Sequence, residues 1–315
     1  MRLLDRINPA AVLLIPLLGV MAVLSPLYQT PAGLMNFLQR AAALLILACG
    51  QSFVLISGGF DLSAGAVVTL TVIGSALIAN GDPGGAWIAV VGAYGAGIVI
   101  GAINGFVVGR LKVPSIIATL GALLWVRGAA MVWSGGSPAG FLPENFRYLG
   151  RGVIRGVPLL QTLPVAVIVL IVFAALSFWL LHKTNFGRLL FMLGDNPTAA
   201  QLAGARVALV RCGAFMVSST SAVTAGILFG GFSGVSVDVG TGCDLQAIAA
   251  AAIGGVVLLG GQGSVAGACL GASILYALFT VLNLLGFPEP LRVAVQGLIL
   301  ICAAALTSWR QRRGA

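Results

Sequence analysis

Five polar side chains stand in or beside long apolar runs, and their chemistry bounds what the chain can do. Asp61 lies in Ile56-Ser57-Gly58-Gly59-Phe60-Asp61-Leu62-Ser63, between two apolar stretches, and Asp244 opens Asp244-Leu245-Gln246-Ala247-Ile248-Ala249-Ala250. Gln51 and Asn104 are embedded in apolar runs, and Gln246 follows Asp244 by two positions. A carboxylate at membrane depth must face protein, water or a surface. Asp61 therefore reads either as part of a gate or pathway near an inner mouth, or as a cap taking N–H bonds at the start of the next helix. Asp244 has the same two readings near an outer mouth. Gln51, Asn104 and Gln246 can bond across helices, each bond giving about 0.6–2 kcal/mol, or meet a polar solute. Arg127 can snorkel outward or pair with an acid.

Catalytic and cofactor chemistry finds no such footing. No GxxxxGK[ST] loop is present to cradle ATP phosphates, and there is no HExxH or G-x-S-x-G. His182 is the single histidine and sits beside Lys183, which makes it a poor general base. The five cysteines are widely spaced without a CxxC, a pattern of small apolar fillers rather than of a disulfide framework or zinc site. No catalytic, cofactor-binding or metal-binding residues are expected.

The elements that must position the polar residues are apolar. Of 315 residues 59% are hydrophobic and 8% charged, against about 25% charged in a soluble domain. The mean hydropathy is +1.07. Too few polar residues remain to coat a soluble fold, so the excess of 17 Lys+Arg over 8 Asp+Glu does not by itself indicate nucleic acid, and no basic stripe with interleaved aromatics is present. The class is a polytopic, all-α transmembrane bundle.

About ten runs are long enough to be candidate spans: 10–28, 39–57, 64–80, 86–109, 114–134, 159–181, 211–230, 245–262, 264–284 and 291–308. Several are short or broken by glycine, and the eighth and ninth read alternatively as one broken or re-entrant element. The first is taken as a retained helix rather than a cleaved leader, since no small-x-small site follows it before Pro26 and Pro31. With the N-terminus inside, Arg2, Arg6, Arg110, Lys112, Lys183, Arg188, Arg206, Arg211, Arg310, Arg312 and Arg313 fall on inner segments, eleven of the seventeen basic residues. That bias puts both termini in the cytoplasm. An outer connection runs over about 135–158 and an inner one over about 182–210. The inner one holds two short helical stretches, around 189–193 and 199–203, parted by Gly194-Asp195-Asn196-Pro197. Gly58-Gly59 and Gly260-Gly261 each stand four residues before an Ala-Gly pair and an apolar span, the trace of an internal repeat.

Three ordered blocks resemble the ribose/xylose-type ABC-transporter permeases, the inner-membrane components of binding-protein-dependent systems. They are Gly58-Gly59-Phe60-Asp61-Leu62-Ser63-Ala64-Gly65; Thr184-Asn185-Phe186-Gly187-Arg188 with Gly194-Asp195-Asn196, Ala199-Ala200 and Gly204; and Asp244 to Ala250 with Ile253-Gly254-Gly255 and Leu259-Gly260-Gly261-Gln262-Gly263-Ser264. The chain departs from the pattern at Asp244 (usually Glu), at Gln246 (usually Asp) and at Phe191-Met192-Leu193-Gly194-Asp195 (usually Tyr-Ala-Ile-Gly-Gly). The resemblance implies one permease domain over 1–315 in a bacterial inner membrane. It implies a second permease subunit, identical or different, a cytoplasmic ATP-binding subunit carrying ATP and Mg²⁺, and a periplasmic solute-binding protein. Cargo in this family is mainly pentoses, hexoses and small polyols, with a quorum-signal furanone as an outlier. Asp61, Gln51, Asn104, Asp244 and Gln246 are then candidates for a gate or pathway. Gly187, Arg188, Gly194, Asp195, Asn196, Ala199, Ala200 and Gly204 are candidates for the ATPase-coupling loop. The alternatives are an ion-coupled secondary transporter, with Asp61 and Asp244 as coupling carboxylates, and a non-transport membrane subunit.

Overall fold

A computed structural model describes residues 9–158, 160–299 and 301. The elements, in order, are α1 (Pro9–Leu24), a 3₁₀ turn (Pro26–Gln29), α2 (Pro31–Ile56), α3 (Ala64–Ala79), α4 (Gly85–Gly109), α5 (Ser115–Ser134), α6 (Glu144–Arg151), β1 (Val153–Val157), β2 (Gln161–Pro164), α7 (Val165–Lys183), α8 (Asn185–Asp195), α9 (Pro197–Leu202), α10 (Val207–Ser233), α11 (Cys243–Ile253) and α12 (Val265–Leu284). Residues 289–299 are helical again. Six helices (α2, α4, α5, α7, α10 and α12) are long and apolar enough to cross a membrane, and α1, α3 and α11 are shorter apolar helices. The fold is the expected all-α helical bundle. The terminal arginines Arg2, Arg6, Arg310, Arg312 and Arg313 lie outside the described residues, as do positions 302–308 of the last candidate span.

α2 is the central post. Every residue from Ala41 to Ile56 is buried, and α7, α10, α11 and α12 pack around it. α4, α5 and α7 instead turn apolar side chains outward, among them Trp87, Val91, Val132 and Ile171, as helices facing lipid do. α2 begins eight residues before the span predicted at 39–57, because its polar pair, Gln39 and Arg40, finds partners on α6 and α10. Gln39 Nε2 donates to the Gly150 carbonyl at 2.9 Å, and the Arg40 guanidinium lies 5.1 Å over the Phe232 ring.

The loops gather at two ends. The α4–α5 turn, α8, α9 and the loop 254–264 lie at one end. The α3–α4 turn, α6 and a hairpin lie at the other. The predicted inner helices are present as α8 and α9. Thr184 caps α8 by accepting from Gly187 N, and Asn196 caps α9 through Oδ1, which accepts from Thr198 N and Ala199 N at 3.0 Å. The outer connection is more ordered than its composition suggested. α6 buries Phe146 and Gly150 and sets Glu144 in its first turn against Arg151 in its last, the two joined by a salt bridge. β1 and β2 then pair antiparallel, with Ile154 opposite Leu163 and a bulge at Gly156.

The eighth candidate, 245–262, is not one helix. α11 has 11 residues, a rise of about 16 Å and half a bilayer's ~30 Å hydrocarbon core. It stops at Gly254, and Gly255, Gly260 and Gly261 take left-handed conformations (φ +88°, +98° and +78°) that side chains disfavour. The broken-element reading of this region is the one the chain adopts.

α4 and α10 are the most extensively packed pair, and a glycine stripe explains why. Gly97, Gly101, Gly105 and Gly109 recur every fourth residue of α4. A Cβ on Gly101 would sit 2.7 Å from Met216 Cα, one on Gly109 2.9 Å from the Ala208 carbonyl oxygen, and one on Gly105 would overlap Cys212 Cα. The two backbones touch, as small-xxx-small packing permits. Gly105→Val forces α4 off α10, and the overpacking costs about 1–3 kcal/mol. The expected outcome is a lower midpoint in a detergent thermal melt, with Gly95→Ala as a neutral control because Gly95 faces open space.

Candidate functional site

Past the end of α2 the chain leaves helical geometry at Gly58 (φ +78°), and residues 58–63 lead to α3 through the interior. Asp61 is fully buried, and its carboxylate is surrounded by donors. Oδ1 accepts from Ser63 N at 3.0 Å and from Ser63 Oγ at 2.6 Å, and Oδ2 accepts from Ser218 Oγ at 2.7 Å. Asn104 Nδ2 donates to Ser63 Oγ at 2.9 Å. The Ser218 hydroxyl also lies 3.5 Å from Gln51 Oε1. One cluster thus ties the segment after α2 to α4 and α10. Ser218 is eleven residues into α10, about 17 Å from its start, so the carboxylate sits well inside the bundle.

Three of the five predicted pathway residues, Asp61, Gln51 and Asn104, therefore come together. The carboxylate of Asp61 takes the N–H of Ser63 at the entry to α3, as the capping reading expected of it, and also bridges helices, whereas Ser63, the N-cap itself, makes no side-chain cap bond. Asp244 is buried in the first turn of α11, near Gly65, where a Cβ would come within 3.4 Å of its Oδ1. Its helix is entered through Gly242 without a side-chain cap. Gln246 is half-buried one position beyond Leu245 and makes no bond to the cluster. Ser218 was missed, although Ser218-Ser219-Thr220-Ser221, four hydroxyls in an apolar helix, was the available signal. Gln51 Nε2 and Ser219 Oγ are buried without a partner among the described residues. Arg127 finds its acid in Asp238, 2.8 Å away at the opposite end.

The candidate coupling residues form a second group. Arg188, Asp195, Asn196 and Ala199 are exposed on α8 and α9 and at their junction, whereas Gly187 and Ala200 are buried against the bundle. Gly204 ends α9 in a left-handed turn (φ +83°). Gly194 is the point of closest approach. A Cβ there would overlap both the Ile56 carbonyl oxygen and Gly261 N, and those two atoms are themselves hydrogen-bonded at 2.9 Å. α8 therefore seats on the bond that joins the end of α2 to the loop before α12. The two Gly-Gly pairs meet at the same place, since a Cβ on Gly260 would stand 3.0 Å from Gly58.

The sequence model of the family described as branched-chain amino acid transport system / permease component matches residues 33–304. The chain belongs to this permease family. It is 35% identical over 304 residues to the ribose import permease protein RbsC of Escherichia coli strain K12, covering 95% of this chain and 92% of that protein. It is 34% identical over 301 residues to the autoinducer 2 import system permease protein LsrC of Enterobacter sp. strain 638, covering 94% of this chain and 85% of that one. No solved structure matches. The permease is thus a multi-pass inner-membrane component of an ABC importer, as its three motif blocks implied.

The carboxylate cluster yields a stability test on the permease. Asp61→Ala strands the hydroxyls of Ser63 and Ser218, and Ser218→Ala removes one donor, each at about 1–3 kcal/mol. The double variant is expected to lose less than the sum by at least about 0.5 kcal/mol, read from thermal melts of the four proteins in one detergent. Full additivity would show that the two side chains do not interact.

Proposed function

We propose that the whole chain, 1–315, acts as one transmembrane domain that passes a monosaccharide or a related small polyol inward by alternating access. A second permease subunit, identical or different, completes the pathway. A separate cytoplasmic subunit binds ATP and Mg²⁺, and a periplasmic solute-binding protein delivers the cargo. The relatives named for ribose and autoinducer 2 support a small, hydroxyl-rich solute. The absence of a phosphate-cradling loop in the sequence agrees with a motor on another chain.

The orientation follows from charge. Among the described residues, the α8–α9 end carries Arg110, Lys112, Lys183, Arg188, Arg206 and Arg211 against the acid Asp195, whereas Asp82, Glu144 and Asp238 stand among the arginines of the opposite end. By the positive-inside rule we assign the α8–α9 end to the cytoplasm, and the basic residues near both ends of the sequence favour the same side for them.

The contact of Gly194 with Ile56 and Gly261 carries this reading. A load on the exposed face of α8 and α9 reaches, backbone to backbone, the ends of two segments at once. One runs through Asp61 into α3 and the other into α12. No flexible side chain lies between to absorb it. Arg188, exposed beside this contact, holds a carboxylate of the motor or a membrane phosphate. The Asp61, Gln51 and Asn104 cluster, nearly inaccessible to solvent, is a closed polar latch that fixes the α2–α3 segment in this state and parts from α4 or α10 as the bundle rocks.

In proteoliposomes with its partner subunits, the permease takes up labelled ribose when ATP is supplied and continues to do so with an uncoupler present. Loss of uptake on uncoupling would instead make Asp61 and Asp244 ion-coupling groups. In the complex that assembles, Gly194→Ala, the smallest intrusion on this contact, is expected to keep hydrolysing ATP while uptake falls about tenfold, the scale of a coupling energy of 0.5–2 kcal/mol. Equal losses of hydrolysis and uptake would remove Gly194 from the transmission.

A further inference from the structure

At the α8–α9 end a cleft of about 570 Å³ opens between the segment after α2, the α4–α5 turn, α9 and the first turns of α10. Its size is that of a small-molecule site. Two cations line it, Lys112 and Arg211, and no Asp or Glu does. Among the described residues the ion pairs are Arg127–Asp238 and Arg151–Glu144, so neither cation has a carboxylate partner there. Arg211 is half-buried, where an uncompensated guanidinium is unfavourable. Lys112 is held with φ +57°, a left-handed conformation costing a non-glycine residue about 1–2 kcal/mol. α5, twenty residues long, starts in the cleft wall at Ser115, and the unpaired amides of its first turn favour anions. Thr198 and Gln201 supply neutral hydrogen-bonding groups from the exposed face of α9.

We propose that this cleft binds the phosphate of a phosphorylated small polyol. Arg211 grips the phosphate oxygens through its planar fork, Lys112 adds a point charge, and Thr198 and Gln201 meet the polyol hydroxyls. One wall is Gly58-Gly59-Phe60, the stretch leading to Asp61. An occupant therefore braces the segment that the transport reading above requires to move. On that reading, a phosphorylated product of the imported solute restrains the importer from the side where ATP acts. The same phosphate chemistry is available as a free sugar phosphate and as a lipid headgroup.

The full importer in nanodiscs of neutral phosphatidylcholine is titrated with ribose 5-phosphate, with ribose and inorganic phosphate as comparisons, and again in nanodiscs containing phosphatidylglycerol. Saturable binding of ribose 5-phosphate, weakened at least about tenfold (1.4 kcal/mol) in Lys112→Gln and in Gln201→Glu, is the expected result. Lys112→Gln alters a rim position on the α4–α5 turn, outside the α8–α9 face that takes the motor's load, so it keeps the test open if Arg211→Gln fails to fold. Competition by phosphatidylglycerol with no binding in neutral discs assigns the site to a lipid headgroup. No binding from either source, or binding unchanged in the variants, overturns the site. In uptake assays the sugar phosphate on the ATP side slows the wild type and not Lys112→Gln. Binding without slowing overturns the regulatory role, and neither failure bears on ATP-driven uptake itself.

Discussion

The hydrogen bond from Ser218 to Asp61 determines how the middle of this permease is built. A carboxylate with no access to solvent is tolerated only if donors reach its oxygens, and here they come from a serine two residues on and from a serine in the longest helix. To present Asp61 to Ser218, the chain after α2 must stay non-helical and run inside the bundle. α3 consequently starts deep and needs only 16 residues. Asn104 extends the tie to α4, so three helices share one buried anchor. The backbone amides of the non-helical stretch are satisfied in the same way, with Phe60 N donating to Ser115 Oγ at 3.1 Å.

Glycine does the complementary work at the surfaces where helices meet. Along α4 and α10 it removes side chains so that backbones touch, and at Gly194, Gly260 and Gly261 it does so between loops. The two uses have opposite mechanical effects. A glycine stripe between long helices gives an extensive dispersion contact and makes the pair move as one body. Left-handed glycines in a loop, such as Gly58 and Gly261, place a bend where φ and ψ can change without a steric penalty. The bundle thus alternates rigid helix pairs with defined points of bending, the arrangement that rocking between two states requires.

The apolar runs were legible in the sequence because lipid exposure demands them, and every described helix of the core falls on a predicted run. α8 and α9 were legible through the turn chemistry of Asn196-Pro197. The early start of α2 was not, because Gln39 and Arg40 look like a boundary until Gly150 and Phe232 arrive from elsewhere in the chain. The hairpin β1–β2 was hidden for a similar reason, since its strands are short and one carries a bulge. In the site, Asp61, Gln51 and Asn104 stood out as polar residues in apolar surroundings. Their grouping did not, because it depends on Ser218, and a serine inside an apolar helix usually bonds its own preceding turn. Gly194 reads in the sequence as part of a turn. Its contact with Ile56 and Gly261 joins residues far apart in the chain, and no local pattern encodes it.

The departures from the family pattern fall unevenly on this architecture, and that says where the chain has room to vary. Asp244, one methylene shorter than the family's usual Glu, sits buried with Gly65 close by. Gln246 is half-buried and outside the carboxylate cluster, so exchange of Asp for Gln there changes the charge near α11 without disturbing the anchor at Asp61. Asp195 stands where the pattern has a glycine, at an exposed position next to the contact of Gly194 with Ile56 and Gly261, while Gly194, where a Cβ would overlap both, is retained. Gly194, fixed by backbone contact, keeps the pattern, and the exposed Asp195 beside it departs, whereas at the buried Asp244 the departure keeps the charge and changes only the reach of the side chain.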